Sequence, residues 1–219
     1  MIPLSKNTLQ MTYMIKAVIY DLDGVLVDAT EWHYDALNRA LKTFGYEITR
    51  EEHMGFYNGL PSKKKLEVLS QEKGFPLALK DFVNDLKQIY TREEVMAHCK
   101  PDFQKRYMLA RFKKEGYKQA VCSNALKKSI DMMLNYSGLT EYVDFVLGND
   151  MVVNHKPHPE MYLKALEHFN LKPTEAVIVE DSPHGIQAAH ASGAYVCEVS
   201  GYNDVNYFKI KEFIDSLNK

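Results

Sequence analysis

The sequence predicts an α/β fold, a parallel sheet with helices on both faces that is interrupted near its start by an inserted helical lid. Three observations predict it. A short apolar, β-branched run, Ala17 to Tyr20, ends abruptly in two acids, Asp21 and Asp23. Between residues 29 and 95 the apolar side chains recur only at helical spacing, with Gly and Pro as punctuation. From Phe103 onward helical stretches alternate with apolar runs, as βαβ units with right-handed crossovers do.

The elements follow in order. Lys16 to Asp28 reads KAVIYDLDGVLVD, a buried strand followed by a turn that Gly24 makes tight. Glu31 to Phe44 carries Ala36, Leu37, Ala40, Leu41 and Phe44 on one helical stripe, closed by Gly45. Helical pattern continues over Glu51 to Tyr57, Lys63 to Lys73 and Leu79 to Ile89. The later part reads as helix Phe103 to Glu115, strand Lys118 to Cys122, helix Ser129 to Tyr136, strand Val143 to Leu147 and helix Glu160 to Phe169. Strand Ala176 to Val179, helix Gly185 to Ala191 and strand Tyr195 to Val199 complete it. The expected division is an N-terminal extension over 1–15, a catalytic core over 16–28 and 96–219, and a helical cap over 29–95.

Composition narrows the function classes. A chain of 219 residues suits one domain with a small insert, and 46% hydrophobic with 26% charged residues excludes a disordered class. The formal net charge of −2 argues against a nucleic-acid binder, and no apolar run is long enough to span a bilayer. Cys99, Cys122 and Cys197 lie far apart, so neither a zinc site nor a disulfide framework is expected and a reducing cytoplasm is the natural setting. The first residues have no h-region of a signal peptide. The expected partner is a small molecule, with no nucleic acid and no membrane, for a monomer or homodimer.

In a parallel sheet, ligands bind beyond the carboxyl ends of the strands, and polar residues cluster at those predicted ends. Asp21 and Asp23, two apart, share a side of the extended chain. Two acids there are costly unless a cation offsets them, and Mg²⁺ suits carboxylates, water and a phosphate; a strand that merely ends in polar residues is the plainer alternative. Ser123 and Asn124 offer a hydroxyl, an amide and backbone N–H groups to phosphate oxygens, although Ser-Asn after a strand also reads as a helix cap. Lys156, before Pro157 and Pro159, is either a fixed cation or a lysine in an exposed loop. Glu180 and Asp181 leave a fully apolar run together, which again suggests a metal ion.

The order Asp-x-Asp-Gly, Ser-Asn, Lys-Pro, Glu-Asp-Ser resembles the four motifs of the haloacid dehalogenase-like superfamily, from Lys16 to about Gly201. The helical insert after the first motif, with GIQAAHASGA after the fourth, is similar to the β-phosphoglucomutase-like subgroup. The resemblance implies a Rossmann-like core under a closing cap, with Asp21 as nucleophile forming an aspartyl-phosphate and Asp23 as general acid/base. It implies Mg²⁺ on Asp21, the backbone carbonyl of Asp23 and Asp181, with Glu180 binding directly or through water. Gly24, Ser123, Asn124 and Lys156 are the implied phosphate-binding positions. His33 matches a subgroup histidine that gates proton transfer, or is packed core.

The implied activity is a Mg²⁺-dependent phosphatase acting on a small phosphate monoester such as a sugar phosphate. A phosphosugar mutase is the alternative, but its cap carries a Lys before Gly and an Arg shortly after. Here the stretch is Tyr57-Asn58-Gly59-Leu60-Pro61-Ser62, and Ala29 stands where the mutase has Thr. A non-catalytic binding module is the third reading, and Asp23 ranks dehalogenase and phosphonate-cleaving chemistry below phosphate-ester hydrolysis. Lys63, Lys64 and Lys65 form a solvated helix face, or one of them meets an anionic part of the substrate. Trp32 lines either the cap side of the pocket or the core.

Overall fold

The structure is a computed structural model that describes residues 14–57 and 59–217. Its strands are β1 (Ala17–Tyr20), β2 (Lys118–Cys122), β3 (Phe145–Leu147), β4 (Ala176–Glu180) and β5 (Tyr195–Glu198). The helices are α1 (Thr30–Lys42), α2 (Arg50–Met54), α3 (Ser62–Lys73), α4 (Lys80–His98), α5 (Phe103–Lys114), α6 (Lys127–Tyr136), α7 (Glu160–His168), α8 (Pro183–Ala191) and α9 (Tyr207–Leu217). β1 and β4 are buried along their whole length, as the interior strands of a doubly covered sheet must be. All pairings are parallel, in the order β3-β2-β1-β4-β5.

Side chains alternate across the sheet and so build two cores. Val18, Tyr20, Val121, Val177 and Val179 pack with Leu109 and Phe112 of α5, Ile130 and Met133 of α6, and Ile210 and Ile214 of α9. Ala17, Ile19, Ala120, Cys122 and Ile178 pack with Met161 and Leu166 of α7 and Ala188 of α8. The segment between β1 and β2 has a separate core, in which Leu37 and Leu41 meet Leu66, Leu69, Phe75 and Val83.

Register positions the site. Tyr20, the last residue of β1, pairs with Val121 of β2 and Val179 of β4. The chain therefore leaves all three strands at one edge, and the order of strands changes direction at β1.

The structure departs from the sequence reading in three places. α4 runs to His98, past the expected boundary at 95, because a buried stripe of Val83, Lys87, Thr91 and Val95 continues to its last turn. α9 lies beyond the last expected element; its Tyr207, Ile210 and Ile214 are buried. Ile15, expected in the N-terminal extension, is buried in the sheet core, while residues 1–13 of that extension lie outside the described residues. The three cysteines are buried and free. Among the described residues no helix is long and apolar enough to cross a membrane.

Candidate active site

Three strand ends meet on one lysine. Lys156 is only 4% exposed, and its Nζ donates to Asp21 Oδ1 at 2.6 Å, Glu180 Oε1 at 2.5 Å and the Cys122 carbonyl at 2.9 Å. Burial pulls the ammonium toward neutrality, but Asp21 and Glu180 outweigh it and hold its pKa above the ordinary value. Of the two sequence readings of Lys156, the fixed cation holds.

Glu180 is 0% exposed, and protein donors occupy both its oxygens. Oε1 also accepts from Tyr162 Oη at 2.7 Å, and Oε2 accepts from the Asp181 N–H at 3.0 Å and the Ser182 N–H at 3.1 Å. A Cβ at Gly185 would overlap this carboxylate. Glu180, expected as a metal partner, is thus committed first to anchoring Lys156.

Asp21, Glu180 and Asp181 bring carboxylate oxygens within 4.8 Å of one another. Burial, with the charges of Glu180 and Asp23, pushes Asp181 up to about 7, and its buried Oδ1 has no hydrogen-bond partner. Burial also pushes Asp21 up; Lys156 opposes it, while Glu180, Asp181 and Asp23 add to it. Hard oxygen donors, crowded like charges and an orphaned buried oxygen together fit a hard divalent cation. Gly24 is part of this fit in a way the sequence did not suggest. Its φ is +83°, its N–H donates to the Val27 carbonyl at 2.8 Å, and a Cβ there would overlap the Asp181 carboxylate. The expectation that Gly24 binds phosphate is corrected: its N–H is engaged, and its missing side chain makes room for Asp181.

Asp23 stands in a relay with the insertion. Its Oδ1 lies 3.0 Å from His33 Nε2, and Lys87 Nζ lies 3.1 Å from His33 Nδ1. A lysine can only donate, so Nδ1 accepts and the proton sits on Nε2, where it is donated to Asp23. Burial and Lys87 lower the His33 pKa, so the neutral tautomer is the favoured one. His33 thus lines the cavity between Asp23 and Lys87 and belongs to none of the apolar cores.

Ser123 is not a helix cap, since α6 starts only at Lys127 behind Leu126; its Oγ accepts the Ala125 N–H at 3.0 Å and donates to Asp23 Oδ2 at 3.4 Å. Asn124 lines the cavity, but its amide is engaged by protein. Nδ2 donates to the Gly59 carbonyl of the insertion at 2.8 Å, and Oδ1 accepts the Lys156 N–H at 3.3 Å. Asn124 thus fastens the insertion to the loop that carries Lys156.

These groups line a cavity of about 320 Å³, with Asp21, Asp23 and Ser123 from the strand ends, Lys156 from the loop before α7, and His33, Lys65 and Lys87 from the insertion. Asn58 lies outside the described residues. Trp32 packs against the sheet core near His98 and does not line this cavity. Sequence reading missed Lys87, Tyr162 and Glu160. Lys87 left one trace, a cation on the buried stripe of α4. Glu160 organises the approach to Lys156, accepting the Val153 N–H at 3.0 Å and the Asn154 N–H at 2.8 Å.

The family model for haloacid dehalogenase-like hydrolases matches residues 18–199, a span that holds Asp21, Ser123, Lys156 and Asp181. The chain belongs to this family. It is 30% identical over 182 residues to the phosphorylated carbohydrates phosphatase of Thermotoga maritima, with 82% of each chain covered. It is also 30% identical over 179 residues to the phosphoglycolate phosphatase of Aquifex aeolicus, again with 82% of each covered. In fold it is similar to the β-phosphoglucomutase of Clostridium difficile, with a TM-score of 0.79 and 23% identity over 93% of this chain and 98% of that one. The haloacid dehalogenase-like core is thus an α/β Rossmann-like fold, as the motif order implied.

Two outcomes follow from this geometry. Gly24→Ala should strain a left-handed position by about 1–2 kcal/mol and displace Asp181. Added MgCl₂ should raise the melting temperature of the wild type, and that rise should shrink or vanish in the variant. Hydrogen bonds from the Val153 and Asn154 N–H groups and from Lys164 hold Glu160 down at about 2, against an ordinary 4.5. An acid depressed on folding stabilises the fold above its unfolded pKa and loses that contribution as pH falls toward the folded value. The stability gap between wild type and Glu160→Gln in urea titrations should therefore be constant near neutrality and narrow below 4.5.

Proposed function

We propose that this chain is a Mg²⁺-dependent phosphatase that hydrolyses a small phosphate monoester through an aspartyl-phosphate on Asp21. The enzyme is a phosphoric monoester hydrolase of the haloacid dehalogenase-like family. The observation that carries the mechanistic reading is the pairing of Asp21 with buried Lys156, beside a second acid, Asp23, held in a separate network. The two carboxyl groups are given different partners, which is what different roles at one pH require.

In this reading Lys156 orients the Asp21 carboxylate and keeps it anionic, so that one of its oxygens attacks phosphorus in line while the ester oxygen departs. Asp23 delivers a proton to that leaving oxygen. It then takes one from the water that opens the acyl-phosphate, which returns Asp21 and releases inorganic phosphate. His33, donating through Nε2 and steadied by Lys87, orients Asp23 between these steps. Ser123 binds the transferring phosphoryl group, and Lys156, whose three protons are held by Asp21, Glu180 and the Cys122 carbonyl, contributes its positive charge beside it. Asp21, the backbone carbonyl of Asp23 and Asp181 would hold Mg²⁺, which supplies the positive charge that lets a dianionic phosphate approach crowded carboxylates.

Residues 29–95 act as a cap in this reading. The Asn124 to Gly59 hydrogen bond supports it, and so does the insertion's separate core, which lets it move as a unit. The small cavity beneath it favours a metabolite over a macromolecular phosphate. Three buried free cysteines support a reducing cytoplasm as its setting.

A phosphate-release assay over a panel of small esters tests the reading. Asp21→Asn should lose turnover by about 10³-fold or more while keeping its melting transition, and EDTA should abolish wild-type release until Mg²⁺ is restored. Release that survives either treatment contradicts it.

A further inference from the structure

The three consecutive lysines at the start of α3 have different fates. Lys63 pairs with Asp81 at 2.7 Å and Lys64 with Glu67 at 3.2 Å, each on the surface. Lys65 points inward, is 7% exposed and lines the cavity. Among the described residues its ammonium has no hydrogen-bond acceptor and no ion pair; only its backbone N–H is bonded, to the Pro61 carbonyl. Lys87 of α4, 6% exposed, lines the same cavity and donates only to His33 Nδ1, which leaves two of its three protons without a protein acceptor.

Burial and the neighbouring Lys87 depress Lys65 to about 7, and burial depresses Lys87 to about 8. The one carboxylate acting on either is Asp23, already engaged by His33 and Ser123. His53 completes the recess: it is 2% exposed, lines the cavity and carries a buried Nδ1 with no partner. Two buried lysines facing one cavity with no carboxylate of their own are costly to charge, and an anionic ligand in that cavity would supply the missing counter-charge.

The transferring phosphoryl group does not meet this need. Its implied binding groups, Ser123 and Lys156, lie on the loops that follow β2 and β3, where Lys156 is already paired with Asp21 and Glu180. Lys65, Lys87 and His53 all come from the insertion. We propose that Lys65 and Lys87 form a second anion subsite, so that the substrate is a phosphate ester bearing a further carboxylate or phosphate group and not a neutral sugar monophosphate. This rests on the phosphatase reading above. The cavity of about 320 Å³ limits such a substrate to a small metabolite.

The test compares esters that differ only in the second anion. Phosphoglycolate against ethyl phosphate isolates the carboxylate, and ethylene glycol bisphosphate against its monophosphate isolates the phosphate. Wild type should favour the doubly anionic member of at least one pair by about tenfold or more in kcat/KM. In Lys65→Met, or Lys65→Gln should the first fold poorly, that ratio should collapse toward one. Equal ratios in wild type and variant, with hydrolysis of the plain esters intact, overturn the subsite and leave the phosphatase reading standing.

If no ester is hydrolysed, the phosphatase reading fails, and binding still decides the subsite. Phosphonoacetate or ethane bisphosphonate should then raise the wild-type melting temperature more than methylphosphonate does, with the excess lost in the Lys65 variant. An equal rise from all three overturns the subsite.

Discussion

The site depends on one buried ion triplet, Lys156 between Asp21 and Glu180. An ammonium removed from water is tolerated only with excellent geometry and opposite charge on hand, and Lys156 has two carboxylates and a backbone carbonyl within 2.9 Å. Each partner comes from a different strand end, so the triplet forms only when β1, β2 and β4 are in register. Glu180 can hold its place because Tyr162 and two backbone N–H groups occupy its remaining lone pairs. The orientation of Asp21 is therefore inherited from the sheet through its contact with Lys156.

Topology does the rest of the positioning. A parallel sheet delivers every strand's carboxyl end to one edge, and β1 lies at its centre with β2 and β4 on either side. The helical insertion follows β1 within ten residues, so its helices lie beside that edge and close the cavity from outside. Core and insertion differ in charge at the cavity. The strand ends bring an excess of carboxylates, while α3 and α4 bring lysines, a division that suits a phosphorylated ligand with a metal ion on one side.

Much of this was legible in the sequence. β1, β2 and β4 were readable because strands buried on both faces are continuous apolar runs; Asp21, Asp23, Ser123 and Asp181 stood out as polar residues ending such runs, and Lys156 as a lysine in a loop stiffened by Pro157 and Pro159. The structure brings all five together. The roles of Gly24 and Glu180 were not legible. One depends on the space Asp181 occupies, far away in sequence, and the other on Tyr162, whose hydroxyl no local pattern announces. Lys87 was hidden, and Lys65 could not be told from Lys63 and Lys64, for another reason. Helical periodicity marks which face is buried but not what the face meets, and a lysine there reads as ordinary surface until the cavity is seen. α9 carried a readable stripe, Tyr207, Ile210 and Ile214, that lay beyond the last motif.

The central claim is that the cage around Lys156 makes Asp21 a carrier of phosphorus. Acid quenching of the enzyme during turnover, borohydride trapping of acyl-phosphate and mapping of the modified peptide test it most directly. The account predicts reduction at Asp21, within the stretch Lys16 to Asp28 and in proportion to the active sites turning over. Modification at another carboxylate, or none in an enzyme that is releasing phosphate, would contradict it.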